Sequence, residues 1–400
     1  MEHGGRTAHR STRWLVRALF FAAVALAVEL LARGALAGLE RGGLRYQPIL
    51  GDRLSVETRR AIEDLLAGRE SPFQIDAELG WTLRPGFHSA QVTVDADGRR
   101  RASDRPPPRT DALRLAAFGD SFTFGGDVVD RDAYPEALAR LDLGIDVDNY
   151  GVPAYGLDQA LLRYLEARAT ARPRVVVIGY LSENICRNVN VFRPFYNPTT
   201  VFPLAKPRYL LDGEGLRLLR NPLPTPDSYR RLLARPAGIL AELGRHDTHY
   251  RTRSHAEPWD RSATVRLVKL AATARRPLRR DECYGDDEAF AVTTRLFRLF
   301  HETVLRDGAQ PIILIFPARD DVARWGRERR KSYEPLLRFL DGQGYRVVDA
   351  MEVFDEARRD HSIDELIPSH LSPLANRLVA EHLQGRLRGF GLIGPPAAGF

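Results

Sequence analysis

From Leu113 onward, short apolar runs alternate with stretches whose apolar residues return at helical spacing, the pattern of a parallel α/β sheet. The runs predict strands at Leu113–Phe118, Asp146–Tyr150, Val175–Tyr180, Pro311–Phe316 and Arg346–Asp349. The unbroken Ile312-Ile313-Leu314-Ile315-Phe316 suits a strand covered on both faces, because neither set of alternate positions then meets water. Helices are expected at Pro135–Leu141, Gln159–Ala169, Glu288–Leu305 and Leu374–Leu387; in the third, Phe290, Leu296, Phe297 and Phe300 recur at helical spacing. The fold class that follows is α/β, a doubly wound five-stranded parallel sheet.

Three segments break this rhythm. In residues 1–40, Arg6, Arg10, Arg13 and Arg17 precede an apolar stretch from Ala18 to Ala32 interrupted only by Glu29, which has the form of an export signal. Ala35-Leu36-Ala37 resembles a cleavage site, yet the run is long enough to span a bilayer, and a retained single anchor with the domain outside the cytoplasm is the expectation. Residues 41–112, with Gly80-Trp81-Thr82-Leu83, Gln91-Val92-Thr93-Val94 and a Pro-rich stretch from Arg105 to Thr110, read as a small β-containing pre-domain and linker. The main domain then runs over 113–390 with an insertion at 188–287 that shows no sheet strand. The insertion carries Phe192, Phe195, Tyr196, Phe202 and Tyr209, and a segment of this length between core strands is expected to be a cap or binding lobe.

Composition changes the picture little. The net charge of +7 raises nucleic acid as a partner, but the cations are nearly all Arg, broken only by Lys206, Lys269 and Lys331, and are scattered rather than gathered in a stripe. No nucleic-acid partner is expected. Cys186 and Cys283 are read as two buried thiols, with one bridge open to them in an oxidising compartment. His246, His249 and His255 lack regular ligand spacing, so no metal site is expected there, and Asp320 and Asp321 read as helix-capping acids.

Candidate chemistry gathers where strands end, since open parallel sheets bind ligands beyond the carboxyl ends of their strands. After the first strand come Gly119-Asp120-Ser121, where glycine permits a tight turn and the Ser121 N–H can face a developing oxyanion. This block resembles the first block of the SGNH/GDSL hydrolase superfamily, and three further blocks follow in order. Asn149 to Gly156 after the second strand is similar to the second block, with Ala154 where the family places its oxyanion-hole glycine; Ala keeps the N–H donor if its φ is negative. Ser182-Glu183-Asn184 after the third strand stands at the third block. An ungapped count puts Glu183 at the family's Asn, so the donor role is assigned to Asn184, an anionic Glu there being opposed to oxyanion binding. Pro368-Ser369-His370 resembles the last block, whose His is the base. The Asp expected three residues earlier is replaced by Ile367, leaving Asp364, with Glu365 as the alternative, to orient the ring.

The resemblance implies the flavodoxin-like SGNH hydrolase fold and a serine esterase that forms an acyl-enzyme at Ser121, with His370 as base and Asp364 as third member. Its oxyanion hole is the amides of Ser121 and Ala154 with the Asn184 side chain. No cofactor or metal is implied. The expected partners are an acyl-ester substrate on an envelope glycan or lipid and the membrane itself. An O-acyltransferase using the same site and a catalytically silent binding module are the alternatives.

Overall fold

The computed structural model describes residues 5–41, 54–68, 71–197, 200, 202–250, 257–275 and 280–394. His255 therefore lies outside the described residues. Five parallel strands, β1 (Leu113–Phe118), β2 (Ile145–Asn149), β3 (Val175–Leu181), β4 (Gln310–Phe316) and β5 (Val347–Asp349), pair in the order β2-β1-β3-β4-β5. Strand order reverses between β1 and β3, which opens the crevice at their carboxyl ends.

Alternation along each strand feeds two cores. Leu115, Ala117, Val175, Val177, Ile312 and Leu314 face α2 (Tyr134–Leu141) and α7 (Pro373–Gly389). Ala116, Phe118, Val176, Ile178, Ile313 and Ile315 face α3 (Leu157–Ala171), α5 (Asp287–Arg306) and α6 (Glu334–Gly342). The labels α1 (Gly5–Arg41) and α4 (Ala263–Arg275) complete the set used below. Residues Arg13–Leu39 of α1 are long and apolar enough to cross a membrane, and only 6% of the span's most apolar stretch is buried by the rest of the chain.

The pre-domain contributes an antiparallel hairpin, Phe73–Asp76 with Gly80–Leu83. Its Trp81 shares a third core with Tyr155 of the second block and with Phe192, Phe195, Phe202, Tyr229 and Tyr250 of the insertion. Two expectations about the insertion are corrected. It does contain strands, a hairpin of Arg208–Asp212 with Gly215–Leu219 separate from the main sheet, built on a two-residue Gly213-Glu214 turn in which Gly213 takes φ +54. Its aromatics are also core residues: Phe192 is 1% exposed and Phe202 9%, so burial and not ligand contact accounts for them.

The third correction concerns the cysteines. Cys186 and Cys283 form a disulfide across a sequence separation of 97, joining the chain just after β3 to the chain just before α5. The bridge staples the insertion at its base. Spacing could not reveal this, because the partners meet only when β3 and α5 pack on the same sheet.

Candidate active site

Ser121 opens a helical turn, Ser121–Phe124, directly after β1. Asp120 caps that turn, its carboxylate accepting from the Phe122 N–H at 2.9 Å, while the Ser121 N–H occupies a first-turn position with no intrahelical acceptor. Gly119 is required by close approach: a Cβ there would lie 2.6 Å from the Gly179 carbonyl, so the ends of β1 and β3 meet only over glycine.

The chain then turns back through Gly125, Gly126 and Asp127. The Gly125 and Gly126 N–H groups both donate to the Ser121 carbonyl, at 3.0 and 2.8 Å. Arg100, 2% exposed, holds the outside of this turn by donating to the carbonyls of Phe124 (2.9 Å), Gly125 (2.5 Å) and Val128 (2.6 Å) and to Asp130 (2.7 Å). Gly126 lies flat against the His370 ring, where a Cβ would fall 2.9 Å from the imidazole carbons, and Phe122 meets the same ring edge-on at 5.8 Å. The imidazole is thus packed on the loop that carries Ser121.

The group that orients this ring is Asp127, whose Oδ2 accepts from His370 Nδ1 at 2.7 Å and also from the Ser369 hydroxyl. A carboxylate accepts only, so Nδ1 carries the proton and Nε2 keeps its lone pair. Burial pulls the Asp127 carboxyl upward, but the bonds from His370 and Ser369 outweigh it and hold it below its ordinary value. Asp127 adopts φ +66, a left-handed backbone that an Asp tolerates better than most residues.

Asp364 does not reach the ring. It is exposed and ion-pairs with Arg319, while Glu365 accepts from the Ser362 N–H at 2.7 Å as part of a helix cap. Ile367, at the family's Asp position, is fully buried in the core beneath α7. The third-member assignment to Asp364 is thereby corrected: a core residue fills its spacing, and the carboxylate arrives from the other end of the domain. The sequence signal for Asp127 was the Gly125-Gly126-Asp127 run, which allows so tight a return only six positions after Ser121.

Asp120, the residue before Ser121, belongs to a buried charge cluster. Arg187 donates to Asp120 at 3.1 Å and to the Tyr155 carbonyl at 3.0 Å, and pairs with Glu183. Burial alone would depress this guanidinium, but Glu183 and Asp120 hold it above its ordinary value. Burial raises the Asp120 carboxyl, and Arg187 and a hydrogen bond with the Asn184 side chain pull it part of the way back. Glu183 therefore spends its charge on Arg187.

Ala154 departs from expectation. Its φ is +68, not negative, so the loop imposes on alanine the left-handed turn that glycine takes freely, at a cost of about 1–2 kcal/mol. The pre-domain braces this loop, because Trp81 Nε1 donates to the Pro153 carbonyl at 2.9 Å and the Tyr155 hydroxyl donates to the Trp81 carbonyl at 2.6 Å. The Gly151 N–H is already bonded to Asn149 Oδ1 at 2.9 Å, which removes it as an oxyanion donor. Asp321 accepts from the Ser182 hydroxyl at 2.6 Å, and His249 Nε2 contacts the Cys186 carbonyl at 2.9 Å, so both serve the framework.

No protein-family profile matches the chain, and no curated protein matches it. Among solved structures, it is similar to a member of the lipolytic protein G-D-S-L family from Veillonella parvula DSM 2008, at 12% identity over 68% of this chain and 97% of that one, TM-score 0.33. It is similar to an alpha/beta hydrolase enzyme from the metagenome of Lake Arreo, Spain, at 14% identity over 71% and 98%, TM-score 0.38. A catalytic mutant of an acetylxylan esterase from Geobacillus stearothermophilus is similar at 12% identity over 72% and 97%, TM-score 0.36. On its own residues, the chain resembles the SGNH/GDSL hydrolases in sheet order and in four blocks that follow the strands in sequence.

Proposed function

We propose that the chain is a serine ester hydrolase of the SGNH type, anchored by α1 with its domain outside the cytoplasm, acting on acyl esters of envelope glycans or lipids. The observation that carries this reading is the 2.7 Å contact from His370 Nδ1 to Asp127, made by a ring lying against the Ser121 loop. Ser121 Oγ attacks the acyl carbon as its proton passes to His370 Nε2. The oxyanion is received by the Ser121 N–H and the Asn184 amide, Ala154 being withdrawn as a donor by its positive φ. Collapse expels the alcohol, which takes the proton from His370, and water repeats the sequence to free the acid.

Two grounds for a silent module lose their force. Asp127 supplies an acid where Ile367 does not, and Arg187 neutralises Glu183. The Cys186–Cys283 disulfide and the arginines preceding an apolar α1 both support an extracytoplasmic domain. A fluorophosphonate probe applied to the full chain should label Ser121 and fail to label Ser121→Ala. Equal labelling of both would sink the proposal. Product analysis with a sugar acceptor present, scoring free acid against acylated sugar, separates hydrolysis from acyl transfer.

A further inference from the structure

Glu29 lies within an apolar helix, where a carboxylate is costly unless every lone pair is met. Here it is met by α4 of the insertion. Its oxygens accept from the Ser262 hydroxyl (2.7 Å), the Ala263 N–H (2.7 Å), the Thr264 N–H (3.1 Å) and the Thr264 hydroxyl (3.0 Å), with Arg33 adding a contact at 3.3 Å. Beyond Glu29, Ala32 and Leu36 of α1 bury themselves against Ala263, Leu267 and Leu270. The insertion is therefore docked on the same helix that would cross the membrane.

Depth follows from helix geometry. At about 1.5 Å per residue, Glu29 stands roughly 18 Å beyond Arg17 and about 24 Å beyond Arg13. A hydrocarbon layer is about 30 Å thick, so with these arginines at the inner boundary Glu29 still lies inside the outer leaflet. The first turn of α4 must share that depth. The side of α4 turned away from α1 fits such a place: Val268 is 64% exposed, Ala271 and Ala272 are exposed, Val265 is partly so, and Trp259 in the preceding turn is 58% exposed. Lys269 on its flank ion-pairs with Asp260, and α1 likewise leaves apolar residues bare, Leu30 at 58% and Leu31 at 74% exposed.

We infer that α4 is a second lipid-contacting element, lying in the outer leaflet against the anchor and locked to it through Glu29. The inference rests on the reading of α1 as a membrane span. Because α4 belongs to the stapled insertion, the lock fixes the orientation of the catalytic domain relative to the lipid surface and is suited to esters presented at that surface.

The test uses the full chain in vesicles of phosphatidylethanolamine and phosphatidylglycerol, spin-labelled at Val268→Cys, at Leu31→Cys on the anchor or at Leu143→Cys on the globular domain. Accessibility to oxygen is compared with accessibility to a water-soluble nickel chelate. The label at 268 should match the label at 31, favouring oxygen, while 143 favours nickel. A water-type label at 268 beside a lipid-type label at 31 overturns the docking and leaves the anchor standing; water-type labels at both overturn the two readings together. Glu29→Leu, which removes the acceptor, should shift the 268 label toward nickel, and an unmoved label would refute the lock.

Discussion

Two carboxylates flank Ser121 in the chain and make contacts that differ in exposure, Asp127 with His370 and Asp120 with Arg187. At the His370–Asp127 contact the side chains are 29% and 58% exposed, and the loop after Ser121 meets the loop before α7. At the Arg187 corner the side chains of Arg187, Asp120 and Glu183 are 6%, 0% and 8% exposed. The first pair stays near water, which suits the proton transfer proposed for His370. Nothing needs to move at the second. Its charges are fixed, and removing one strands the others in a medium that cannot solvate them. Similar chemical pairs thus differ in setting, one holding an imidazole near the surface and one fixing the buried end of β1 against the chain after β3.

The largest losses are expected at Ser121 and His370 themselves. Ser121→Ala and His370→Ala should each lower kcat on a p-nitrophenyl ester by on the order of 10⁴-fold or more, with the thermal midpoint nearly unchanged. A variant retaining a tenth of the activity would remove Ser121 or His370 from the chemistry.

Arg187→Met should instead act on stability, costing about 3–5 kcal/mol as Asp120 and Glu183 lose their shared partner. Urea unfolding measures it. A midpoint shift worth under about 1 kcal/mol would mean that the buried cluster is not the framework described here.

Asp127→Asn should lower kcat by on the order of 10²-fold, or about 2.7 kcal/mol of barrier, with only a small fall in the urea midpoint because the pair is partly exposed. The loss is smaller than for His370→Ala because a partly exposed ring can still find water as a partner. The depressed Asp127 carboxyl has a definite sign: the contact contributes fully above the ordinary carboxyl range near 4 and is lost as pH falls through the lower folded value. Acid-side titration of wild type should therefore show a loss that Asp127→Asn does not. Least affected should be Asp364→Asn, with less than about a twofold change in kcat, since its pair with Arg319 is exposed. A tenfold loss there would return the orienting role to Asp364.

Much of the framework was legible because it depends on local pattern. Pro311–Phe316 has no polar position to offer, and it forms within one residue of where β4 is found, covered on both faces. The runs ending at Phe118 and near Tyr180 likewise place Ser121 and the Ser182–Asn184 corner at strand ends. The insertion's hairpin also had its local sign, a Gly213-Glu214 turn between Tyr209-Leu210-Leu211 and Leu216-Arg217-Leu218-Leu219, which the Arg and Pro content of the insertion as a whole obscured.

By itself, then, the order of residues determined the alternation of strands and helices, the four blocks at their ends and the apolar run of α1, since each is written in neighbours only a few positions apart. Only the tertiary structure decided which carboxylate meets His370, that Cys186 joins Cys283, that Arg187 takes up the charge of Glu183, and that Glu29 caps α4. Asp127 and His370 are 243 positions apart, and Glu29 and Ala263 are 234. Such pairs form because a sheet order and two packed cores bring distant loops to one edge, and no periodicity in the chain records that meeting.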